Sequence, residues 1–101
     1  MDKIYYDFSR AMKKADELTE VAQNMRKSAN LSFNREIDSI RNTWQGNGAD
    51  IYINRACKLR DEIVDCAKRL EHTADTIRQV ARRTYNTEKK AKEIANKRTY
   101  R

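Results

Sequence analysis

His72 is the one histidine in this chain, so acid–base or nucleophilic chemistry would have to start there. At helical spacing its neighbours are Lys68, Arg69, Asp75 and Thr76. A His–Asp pair three residues apart is ordinary on a charged helix face, and no nucleophile accompanies it. The cysteines are Cys57 and Cys66. Nine helical residues rise about 13.5 Å, while a disulfide needs α-carbons within about 7 Å. The spacing matches no metal-ligand pattern either. Two reduced, partly packed thiols are expected. No catalytic residue, metal or cofactor is predicted, and the chain reads as no enzyme.

The residues that do form a constellation lie at the centre, in Trp44-Gln45-Gly46-Asn47-Gly48. The chain has 101 residues, no proline and two glycines, and both glycines are in this pentapeptide. Every other position is free of helix breakers. Gly46 and Gly48 are expected to supply the positive φ angles that end a helix and turn the chain, and Asn47 tolerates such angles. Trp44, the single tryptophan, reads as a hydrophobic plug beside that turn.

Two long elements must position this turn. Before it, Ile4, Phe8, Ala11, Ala15, Leu18, Ala22, Met25, Ala29, Phe33, Ile37, Ile40 and Trp44 recur at steps of three and four, averaging about 3.6. Met12 adjoins this stripe. Three successive steps of four, from Met25 to Ile37, form a stutter that should relax the supercoil. After the turn, Tyr52, Ala56, Leu59, Ile63, Cys66, Leu70, Thr73, Ile77, Val80 and Thr84 alternate steps of four and three, a heptad seam. The spacing predicts an all-α protein: helix 1 over about 3–43, a turn at 44–48 and helix 2 from about 49. Residues 1–85 would form an antiparallel two-helix hairpin. Two helices enclose no pocket and cannot cover both stripes, so a second hairpin is expected, giving a four-helix bundle. Its core would include Phe33, Ile37, Leu59, Ile63, Leu70 and Ile77, and small residues (Ala11, Ala15, Ala22, Ala29, Ala56) would permit close approach. Replacing Ile63 by aspartate should then break the assembly.

A chain of about 100 residues with Trp44-Gln45-Gly46 at its midpoint, flanked by two amphipathic helices and free of proline, resembles the Trp-X-Gly family of bacterial type VII (ESX-like) secretion proteins. The resemblance covers essentially the whole chain. It implies a helical hairpin that pairs with itself, with another small helical protein or with the N-terminal helical domain of a toxin. It also implies a role as secreted substrate or as targeting, chaperone-like partner of a larger effector, with a secretion ATPase as a further partner. Localisation would be the bacterial cytoplasm before export, then the cell surface or exterior without a Sec signal peptide. The family's export signal is Tyr-x-x-x-Asp or Tyr-x-x-x-Glu. Here Tyr85-Asn86-Thr87-Glu88-Lys89 places the acid at the third position and a lysine at the fourth, a degenerate form that favours the accessory role.

The net charge of +7 is carried by the final quarter. Residues 78–101 hold nine Lys or Arg against two acids, whereas residues 1–77 hold thirteen of each sign. Arg82, Arg83, Lys89, Lys90, Lys92, Lys97 and Arg98 therefore mark residues 86–101 and their approach as a basic helical extension or tail. Such charge suits a helix C-terminus, and also an acidic partner surface. The alternative reading is a small basic nucleic-acid-binding helical protein. Against it, no aromatic platforms are interleaved with the cations and no helix-turn-helix is evident. No apolar run approaches the ~20 residues of a membrane span, and no small-molecule substrate is implied.

Overall fold

The computed structural model describes residues 2–99, with the side chain of Thr99 left aside. It is all-helical: 96% of the described residues are helical and none is in a strand. The order is α1 (Lys3–Lys27), a π-helical turn (Ser28–Phe33), α2 (Asn34–Thr43) and α3 (Asn47–Thr99). Asp2 caps α1, its carboxylate accepting the Ile4 N–H at 3.0 Å. Helix 3 starts two residues earlier than the sequence suggests and continues through the basic segment to Thr99.

The backbone stays right-handed helical through both junctions of the π turn, with φ near −60° at Lys27, Phe33 and Asn34. The reason for the turn is in the spacing of the buried residues. Ala15, Ala22 and Ala29 are fully buried and seven apart, but the next buried residue, Ile37, is eight on. One wider turn absorbs the extra residue. A continuous α-helix would carry Ile37 about 100° too far round and turn Glu36 inward in its place. The expected stutter is thus taken up locally by a π turn and not by gradual unwinding. Its carbonyl at Asn30 accepts the Asn34 side-chain amide at 2.9 Å, and Asn34 Oδ1 accepts Arg60 Nη1 at 2.7 Å. That pairing ties the turn to α3.

The chain packs as two compact units: residues up to Leu18 with those from His72 on, and Thr19–Glu71. In the first unit, Phe8 meets Tyr85 and Asp16 meets Arg78, so contacts step down α3 as they step up α1. In the second, Arg26 meets Glu71 and Asn34 meets Arg60 in the same sense. The buried residues are Ala15, Ala74 and Ala81 in the first unit, and Ala22, Ala29, Ile37, Ala49, Ile53 and Ala67 in the second. A methyl group on a helix reaches zero exposure only where another segment presses close. Alanine at each seventh position permits that, drawing helix axes toward the ~8 Å lower limit.

The seam read for helix 2 lies beside the line that is buried within the chain. The buried residues of α3 are Ala49, Ile53, Ala67, Ala74 and Ala81. Tyr52, Leu59, Cys66, Thr73, Val80 and Thr84 are exposed, while Ala56, Ile63, Leu70 and Ile77 are half-buried. The smaller side chains take the centre because two helices approach closest there. The larger ones are displaced to one flank. On the other flank lie polar pairs: Arg26 Nε donates to Glu71 Oε1 at 2.9 Å, with Nη2 on the same oxygen, and Arg78 Nη2 donates to Asp16 at 2.8 Å.

Candidate functional site

The turn consists of Trp44, Gln45 and Gly46, between α2 and α3. Trp44 leaves the helix in an extended conformation (φ −133°, ψ 124°), while its N–H still donates to the Ile40 carbonyl at 2.8 Å. Gly46 has φ +112°, a value that L side chains rarely adopt, and its carbonyl accepts the first bond of α3 from Asp50 at 3.1 Å. Asp50 also places a carboxylate in the first turn of α3, where the helix dipole favours it. Gly48 departs from expectation. It is already helical and has no positive φ. Its role is space: a Cβ there would sit 3.3 Å from Trp44 Cζ2. The indole thus lies across bare backbone, 6.1 Å from the Tyr52 ring, yet 48% of Trp44 is exposed.

The six residues expected at a bundle core divide into three classes. Ile37 is buried within the second unit at 3% exposure. Phe33, Ile63, Leu70 and Ile77 are half-buried, and Leu59 is 49% exposed. This half-covered row is what remains apolar once the alanines have paired.

Tyr85 and Glu88 lie in the first unit. Tyr85 is half-buried, its ring 4.9 Å from Phe8 and tilted by 38°, with Lys89 Nζ 5.9 Å from its centroid. Glu88 is exposed. The seven basic residues Arg82, Arg83, Lys89, Lys90, Lys92, Lys97 and Arg98 are all exposed, and Lys92 reaches Asp2 at 4.0 Å. Arg78 is the basic residue of this stretch held in place: its hydrogen bond to Asp16, with help from Asp75, keeps its guanidinium above the ordinary arginine value.

Reading the sequence missed a groove in the first unit of about 410 Å³, lined by Phe8, Ala11, Ile77 and Thr84 among others. Its signal was present: Ala11 and Thr84 are stripe positions with small side chains. His72 is exposed, and Asp75 pairs with Arg78 at 2.9 Å. Cys57 is half-buried and Cys66 exposed, both as free thiols. Among the described residues no group of His, Cys, Asp and Glu is arranged to hold a metal, and no helix is long and apolar enough to cross a membrane. No family model matches the chain, and neither the curated proteins nor the solved structures contain a match.

Proposed function

We propose that this chain is a helical hairpin that pairs with a second hairpin in a four-helix bundle and acts in a bacterial type VII secretion system. Its role there is that of targeting, chaperone-like partner of a larger effector, or of a small exported substrate. The observation that carries the reading is the Trp44-Gln45-Gly46 turn at the midpoint of two long helices. A half-exposed indole lies at that turn, and a half-covered apolar row lies on the helices it joins. Such a row is favourable to bury at about 25 cal/mol per Å² of apolar surface. The partner is another small helical protein, a second copy or the helical N-terminal domain of a toxin.

The docking features are the Trp44 turn and the exposed basic segment from Arg82 to Arg98, with Tyr85 and Glu88 beside it. The test is to remove residues 86–101 and measure the thermal midpoint, association with the natural partner, and that partner's export. A truncation that folds and binds but fails in export is expected. Unimpaired export by a folded truncation would remove the tail from the mechanism. Ile63→Asp should abolish association in sedimentation; unchanged sedimentation would remove the apolar row from it.

A further inference from the structure

The groove in the first unit differs from the rest of the apolar flank in chemistry as well as shape. In the other unit the apolar flank carries Met25, Phe33 and Ile40 from the first half of the chain, and Ile63 and Leu70 from α3. At Ala11 and Thr84 both contributors are small, and the groove opens there. Two acidic residues, Asp7 and Glu88, are among those that line it. Neither makes an ion pair among the described residues, although the C-terminal quarter is strongly cationic. The basic residues Arg82, Arg83, Lys89 and Lys90 are exposed and absent from the lining. At about 100° per residue they project from the side of α3 away from Ala81 and Thr84. One short stretch of helix thus presents a cationic outer side and an apolar, anionic groove.

We infer that this groove selects the partner: it receives a bulky apolar side chain from an amphipathic helix of another polypeptide, with a Lys or Arg one turn away that meets Asp7 and Glu88. Two features argue for a helix as occupant. The lining residues recur at three- and four-residue steps on both walls, the spacing that ridges of a third helix fit. The missing volume at Ala11 and Thr84 is filled by a large knob, and the unpaired carboxylates supply charge complementarity that favours one class of partner over others. The inference rests on the reading that a helical partner covers the apolar flank, and adds what that partner must carry.

The probes are two synthetic amphipathic helical peptides, alike except that one carries arginine and the other glutamate one turn from a central leucine. Their binding to the full chain is followed by fluorescence anisotropy. The arginine peptide should bind about tenfold or more tighter. Asp7→Asn with Glu88→Gln should reduce that preference to near unity, and Ala11→Leu with Thr84→Leu should abolish binding of both peptides while helicity is retained. Equal binding of the two peptides, a preference that survives the charge variant, or a dimer of this chain that the leucine variant disrupts would each overturn the inference. Should the leucine variant lose helicity, the charge variant alone decides. Sedimentation of Ile63→Asp, run in parallel, reports on the covered flank independently of the groove, so the two ideas fail separately.

Discussion

The unit made of Thr19–Glu71 and the unit made of the chain's two outer segments use the same central device and differ at its edge. Both bury alanines at seven-residue spacing. In Thr19–Glu71 the edge is filled by Met25, Phe33, Ile40, Ile63 and Leu70, and the apolar depressions are smaller, about 170 Å³ beside Phe33, Ile37 and Tyr52 and about 290 Å³ beside Tyr52, Ala56 and Leu59. In the outer unit the edge falls to Ala11 and Thr84 and the depression is about 410 Å³. A shared core row therefore fixes how helices pair, and the flanking row decides what else can dock.

The largest effect should come from a charge in the shared row. Ala22→Asp in one unit and Ala74→Asp in the other should each cost several kcal/mol, since each buries a carboxylate at a close helix contact while the arginine one turn on, Arg26 or Arg78, is already paired with another acid. A chemical denaturation in which one is tolerated would break the claim of a common device. Deletion of single residues should discriminate almost as strongly. Removing Gln23 turns everything after it by about 100° and should collapse helicity near Ile37. Removing Leu31, inside the π turn, restores a seven-residue step from Ala29 to Ile37 and should leave helicity and thermal midpoint unchanged or improved.

Leucine in place of alanine tests the edge directly. Ala22→Leu should cost about 1–3 kcal/mol by overpacking, whereas Ala11→Leu has the groove to enter and should be neutral or stabilising. Equal thermal shifts for the two would remove the distinction between the units. At the turn, Gly46→Ala should cost about 1–2 kcal/mol for its positive φ. Gly48→Ala should come out near zero, because a gain in helix propensity of up to ~1 kcal/mol offsets crowding against Trp44. Indole fluorescence should nevertheless change. The smallest effect belongs to the polar flank: a double-mutant cycle of Arg26→Ala and Glu71→Ala should return under about 1 kcal/mol, because both side chains are 36% exposed.

Much of this architecture was legible because helix periodicity is a local property of sequence. The absence of proline and the two central glycines marked the break between the helical stretches to within two residues. Ala15, Ala22 and Ala29 were visible as small members of the first stripe. Their counterparts Ala67, Ala74 and Ala81 were not, because a hydrophobicity pattern ranks leucine and isoleucine above alanine. Close packing ranks them the other way at the line of nearest approach. Gly48 was assigned a turn angle when its task is steric, and no local signal separates these uses of glycine. The groove escaped for a related reason. Ala11 and Thr84 are far apart in sequence, and each is unremarkable until the other is known to share its unit.

The sequence by itself determined that the chain is helical, that it breaks at Trp44-Gln45-Gly46, and that its excess positive charge falls after Ile77. These follow from propensity, glycine placement and counting, none of which needs a neighbour. Tertiary structure decided which stripe residues face inward, that an eight-residue step becomes a π turn held by Asn34 and Arg60, and that two small side chains from distant segments leave a groove. Each of these depends on the separation between two helix surfaces, a distance that periodicity along one chain does not encode.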